Sequence, residues 1–102
     1  MREDGGASLK VAVRLASALR EHAGGAACVD VDVEPPVTVA AVIDALARTH
    51  PSIGRRLRDE AGALRQHVNV FVGPDNARDL DHLATVVPDG TEISVLPAVS
   101  GG

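Results

Sequence analysis

Aromatic residues are almost absent from this chain: Phe71 is the only one, and Trp and Tyr are missing altogether. RNA and single-stranded nucleic acids are read largely by stacking bases on aromatic rings, so that function class is disfavoured. Charge points the same way. Ten Lys and Arg against fourteen Asp and Glu leave a formal net charge of −4, which repels phosphate backbones. Cysteine is as scarce, and Cys28 alone cannot form an internal disulfide, which fits a reducing cytosol. No apolar run is long enough to cross a bilayer, and no apolar stretch of signal-peptide type follows Met1-Arg2-Glu3-Asp4. A cytoplasmic protein is expected.

Catalytic and metal-binding patterns are missing too. His22, His50, His67 and His82 form no HxxxH or Cys/His ligand spacing, and Asp75, Asp79 and Asp81 lack the spacing and closing Glu of an EF-hand. No Ser/His/Asp order, phosphate-cradling glycine loop or convergent acid pair stands out, so the chain does not read as an autonomous enzyme. Cys28, with no base at suitable spacing, is expected to be a small buried or half-buried residue at a strand start.

What the chain does have is aliphatic patterning. Its 102 residues are 45% hydrophobic, enough for one domain with one core built from Val, Leu, Ile and Ala. Residues 1–8 are polar and glycine-bearing and are expected as a disordered lead. Leu9, Val11, Val13 and Leu15 alternate as a strand, and Val29, Val31 and Val33 alternate against Asp30, Asp32 and Glu34 as a second. Between them Ser17 to His22 is expected to form a helical turn, with Gly24-Gly25 reversing the chain. Thr38 is placed to cap a helix whose apolar stripe is Val39, Val42, Ile43, Leu46 and Ala47, and His50-Pro51 stops it. Ser52 is expected to cap a short second turn holding Ile53 and Leu57, with Arg55, Arg56, Arg58 and Arg65 as a solvated face. Val68, Val70 and Val72 mark a third strand, Ala77 to Leu80 a short fourth, and Glu92 to Leu96 the last, after a Pro88-Asp89-Gly90 turn. The predicted architecture is α+β, a mixed sheet of four to five strands with one main helix on one face. The domain spans 9–96, and 97–102 is a flexible tail.

This order of elements resembles the ubiquitin-like β-grasp, and the chain is similar to the bacterial sulfur-carrier family that includes the molybdopterin-synthase small subunit and the thiamine and cysteine sulfur carriers. The resemblance runs from about Lys10 to Gly102. It is carried by Lys10-Val11-Ala12-Val13-Arg14-Leu15, Gly24-Gly25, the Thr38-to-Pro51 helix, Asp89-Gly90-Thr91-Glu92 and, most specifically, Leu96-Pro97-Ala98-Val99-Ser100-Gly101-Gly102. Gly73 departs from the pattern, since carriers often continue the third strand there into Asn. His67-Val68-Asn69-Val70-Phe71-Val72 and the Leu-Pro-Ala-Val ending look most like the cysteine-biosynthesis carrier.

Chemistry gives the last residue its meaning. An α-carboxylate on Gly102, with an ordinary pKa of about 3.3 to 3.7, is ionised and a poor electrophile, so it needs activation. Attack on the α-phosphate of ATP, with Mg²⁺ in a partner, would give an acyl adenylate that a persulfide or sulfide could convert to a thiocarboxylate. Pro97, Ala98, Val99, Ser100, Gly101 and Gly102, extended at about 3.3 to 3.6 Å each, reach on the order of 20 Å into another protein's site. Glycine at the last two positions removes the Cβ atoms that would crowd the acyl carbon. Leu15 and Leu96, at strand ends near the tail's root, are either core residues or an exposed docking patch.

The resemblance implies that the chain itself binds no cofactor. Its partners would be an adenylating, sulfur-loading enzyme of the ubiquitin-activation type, a pyridoxal-phosphate cysteine synthase as acceptor, and a zinc peptidase that regenerates Gly102. Molybdopterin, thiazole or thiosugar formation could draw on the same chemistry. A ubiquitin-like modifier would instead join Gly102 to lysines, of which this chain has only Lys10.

Overall fold

Alternation along the first strand sets up the sheet. In the computed structural model, which describes residues 8–97, Val11, Val13 and Leu15 of β1 (Leu9–Leu15) are buried while Lys10 and Arg14 are exposed. β2 (Cys28–Val33) turns Val31 and Val33 inward and pairs antiparallel with β1, placing Val11 opposite Val31. The connection is the short helix α1 (Ser17–Arg20) and a 3-10 turn over Glu21–Ala23. Gly24 then reverses the chain at φ 66°, where a side chain would be strained. Cys28 is exposed, against expectation, because it lies in register with Arg14 and shares that outward face.

Thr38 caps α2 (Val39–Thr49), its Oγ1 accepting from the Ala41 N–H at 3.1 Å. Val39, Val42, Ile43, Ala45 and Leu46 form its buried stripe. His50 ends the helix at φ −135°, and Pro51 opens α3 (Pro51–Leu57) from the first helical position, where its missing N–H costs nothing. The cap position of α3 is therefore His50 and not Ser52. Ser52 Oγ instead meets His22 Nδ1 at 2.8 Å, tying α3 to the turn after α1.

α2 and α3 touch through small residues. Gly54 is buried, and a Cβ placed on it would stand 2.5 Å from Ala47 Cβ and 3.2 Å from Ala47 Cα. Gly54→Ala is therefore expected to destabilise the fold by about 1–3 kcal/mol through overpacking, with Ala47→Gly recovering much of the loss. Chemical denaturation of the two single variants and the double variant measures this. A Gly54→Ala midpoint equal to that of the unmodified protein would mean that the helices part without cost.

β3 (Val68–Val72) buries Val68, Val70 and Val72, then turns through Gly73-Pro74, with Gly73 at φ 59°, into β4 (Asp75–Asn76). The fourth strand thus precedes the expected 77–80. Asn76 Oδ1 accepts from the Arg78 N–H at 3.0 Å and caps a 3-10 turn over Ala77–Asp79, which diverts those residues from the ladder.

A turn closed by Thr91 N–H to Pro88 O, at 3.1 Å, leads into β5 (Ile93–Pro97). β5 is the central strand of the order β2-β1-β5-β3-β4, parallel to β1 and antiparallel to β3. It runs one residue later than predicted and takes in Pro97, opposite Val68. Proline is tolerated there because the β1 pairing ends at Leu15↔Val95, so Pro97 has a neighbouring strand on one side only. One apolar cluster, from Val11 through Val95, fills the space between the sheet and the helices.

Candidate functional site

Of the predicted tail, Ala98, Val99, Ser100, Gly101 and Gly102 lie outside the described residues. The structure fixes the point from which they depart. β5 delivers the chain to Pro97, at the end of the central strand and beside the start of β3.

Leu15 and Leu96 separate cleanly. Leu15 has no exposed surface, while Leu96 is 38% exposed. Parity accounts for this, since Leu15 lies beside the inward Val95 and Leu96, one residue later, turns the other way. Leu15 is therefore core and offers nothing to a partner. Leu96 lies opposite Asn69, and half-buried Phe71 lies opposite Ser94, on the sheet face that the helices leave uncovered. At the β1 side of this face Arg14 grips Glu92 through two contacts of 3.2 Å. The hydrogen bond and charge of Glu92 raise the Arg14 pKa further above its ordinary value.

Beside the departure point lies a pocket of about 410 Å³. Its floor is apolar, made by Leu19 of α1, Val68 of β3 and Val95 and Leu96 of β5. Arg55 and Arg56 of α3 form its rim with Arg65 and His67 from the segment entering β3. The four arginines expected as one solvated helix face are thus divided. Arg58, in extended backbone just past α3, turns away to pair with Asp44 and donates from Nε to Gly62 O at 2.8 Å. Arg65 returns to the rim, its Nε donating to Arg55 O at 3.0 Å. Arg78 holds this segment from behind, donating from Nη2 to Arg65 O at 2.6 Å and to Val68 O at 2.7 Å. Sequence reading missed Arg78, which sits in no periodic pattern; its only signal was a lone cation after the Asn76 cap.

Acidic residues lie elsewhere. Asp30 and Asp32 project from edge strand β2, with Lys10 Nζ 3.5 Å from Asp32, and Glu34 follows on the same exposed edge. Two of the four histidines have local partners, His50 Nδ1 meeting Thr49 Oγ1 at 2.8 Å and His22 Nδ1 meeting Ser52 Oγ at 2.8 Å. Among the described residues no group of three His, Cys, Asp or Glu is placed to hold a metal ion, and no helix is long and apolar enough to cross a membrane.

Comparison with known proteins agrees with this geometry. The ThiS family matches residues 13–102. Sulfur carrier protein CysO of Mycobacterium tuberculosis is 35% identical over 96 residues, covering 92% of this chain and 100% of that protein. Small archaeal modifier protein 1 of Haloferax volcanii is 35% identical over 78 residues, covering 76% of this chain and 85% of that one. A chain of the solved Amycolatopsis orientalis BexX/CysO complex has a TM-score of 0.79 at 35% identity, covering 90% of this chain and 99% of its own length. The mixed sheet with α2 across it is the ubiquitin-like β-grasp of these neighbours.

Proposed function

The chain belongs to the ThiS family, and on that premise we propose that it is a sulfur carrier whose Gly102 carboxylate becomes a thiocarboxylate and donates sulfur in cysteine biosynthesis. The observation that carries this reading is the run of the family match through Gly101-Gly102, the last two residues of the sequence. The likeness to CysO over nearly the whole chain supports the pathway.

A Gly102 carboxylate oxygen attacks the α-phosphorus of ATP and pyrophosphate leaves, giving an acyl adenylate. Sulfide then attacks the acyl carbon, and AMP departs with the bridging oxygen, leaving sulfur on the glycine. ATP and Mg²⁺ belong to an adenylating partner of the ubiquitin-activation type. Pyridoxal phosphate belongs to the cysteine synthase that accepts the sulfur, and zinc to a peptidase that frees the product. The carrier is a co-substrate of these enzymes and acts in the cytoplasm. Its own contribution is presentation. With Pro97 held in the sheet, five residues remain to Gly102, a reach of roughly 17 Å when extended.

Incubation with the adenylating enzyme, ATP, Mg²⁺ and a sulfide source should convert the intact protein to a form with one oxygen replaced by sulfur at Gly102. Mass spectrometry of the whole protein and of its terminal peptide reads this. An unchanged mass in the presence of active enzyme would overturn the proposal. The likeness to small archaeal modifier protein 1 favours a second reading, in which Gly102 forms isopeptides with lysines of other proteins. Lysine-linked adducts in the same experiment would mark it, with self-linkage confined to the exposed Lys10.

A further inference from the structure

We propose that the arginine-rimmed pocket at the root of the tail is a docking socket for an acidic segment of the adenylating enzyme, one that carries an aliphatic side chain for the floor and at least two carboxylates for the rim. The inference rests on the carrier reading and adds to it a place and a chemistry of recognition. Three observations meet there. The pocket is open and apolar at its base, where Leu19, Val68 and Val95 present a surface that a free anion would leave uncovered. Arg55, Arg56 and Arg65 stand around it, no carboxylate of a described residue lines it, and none of the three is in an ion pair with another described residue, whereas Arg58 has Asp44 and Arg14 has Glu92. The pocket also shares Leu96 with the strand that carries the tail.

Charge selects the occupant. The chain as a whole is at −4, yet the ground from which the tail leaves is cationic, so the molecule is polarised between the acidic edge at β2 and the arginines beside β3. Three neighbouring guanidinium groups repel one another, and an anionic partner relieves that repulsion. Planar guanidinium forks match carboxylates in pairs, which a lone lysine would not. An enzyme that receives Gly102 must bring its entrance within the roughly 17 Å reach of the last five residues, so its surface meets this pocket while the tail is inserted. Acidic residues around that entrance would steer the carrier tail first and fix its register.

The test uses the full chain and its purified adenylating enzyme, with binding measured calorimetrically without ATP and sulfur loading measured with it. Arg55→Glu/Arg56→Glu should raise the Kd at about 0.1 M salt at least about tenfold, with the difference shrinking towards about 1 M salt. The loading defect should be carried by KM. Arg55→Gln/Arg56→Gln should give a smaller loss of the same kind, and Lys10→Glu, on the far side of the sheet, should bind and load as the unmodified chain does. Circular dichroism of each variant confirms that the fold is intact.

Charge-reversed chain that binds and loads normally at low salt would overturn the docking assignment while leaving the carrier reading standing. Tighter binding of the reversed chain would also overturn it, because the arginines would then be holding the protein's own residues 98–102. A dimer of the free chain that the reversals dissolve would assign the pocket to a second copy instead. Failure of the unmodified chain to load at all would remove the carrier reading itself.

Discussion

Gly102→Leu is expected to lower sulfur loading, as kcat/KM for the adenylating enzyme, by at least about 100-fold while leaving the thermal midpoint where it was. The loss follows from where the side chain would sit. Adenylation requires the carboxylate oxygen in line with the α-phosphorus, and a displacement of about 1 Å at a reacting centre already costs about 100-fold. An isobutyl group on the α-carbon crowds both that attack and the later approach of sulfide. The fold should not respond, because Gly102 is five residues past the end of the last described strand, β5. Loading rates by intact-mass analysis, paired with thermal melts, separate the two effects. Native-rate loading of the variant would sink the carrier reading, and so would normal loading of a chain whose Gly102 carries a permanent C-terminal tag.

The second large effect is on stability. Leu15→Ala should cost about 2–5 kcal/mol, whereas Leu96→Ala should stay within about 0.5 kcal/mol. Leu15 is among the largest side chains with no exposed surface, and it lies where β1 meets β5. Truncation there opens a cavity that the surrounding Val and Ile residues fill poorly, since β-branched side chains have few rotamers to offer. Leu96 exposes 38% of its surface and gives up little on truncation. Urea unfolding of the two variants decides the matter. Equal midpoints would mean that the end of β1 is not the packed ground it is taken to be.

These two leucines also show how far the sequence reaches. Leu15 continues the two-residue period of Leu9, Val11 and Val13, so its burial was open to reading from that pattern, yet its place at a strand end left a surface role open as well. Leu96 follows Val95 by one residue and must face the other way, but only the pairing of β5 with both neighbours shows which face the helices cover. Cys28 misled for the same reason. Its place at a strand start predicts a small buried or half-buried residue, and register with Arg14 puts it outside.

Local rules determined the elements themselves. The period-two valines, the Thr38 cap, the His50-Pro51 stop and the Pro88-Asp89-Gly90 turn each act over a few residues, through sterics and hydrogen bonds that any reading of the chain can apply. The carboxylate chemistry proposed for Gly102 is likewise local, since it would depend on that residue and its missing Cβ. Only the tertiary structure decided what lies beside the tail's root. Parallel pairing of β1 with β5 joins residues about eighty positions apart and brings Leu19 beside Val95 at one pocket, and the end of that pairing at Val95 allows Pro97 to remain in the sheet. The arginines of α3 gather with Arg65 because Arg78 pins the entry to β3. Such contacts arise from the burial of one shared core, and no short stretch of the chain encodes them by itself.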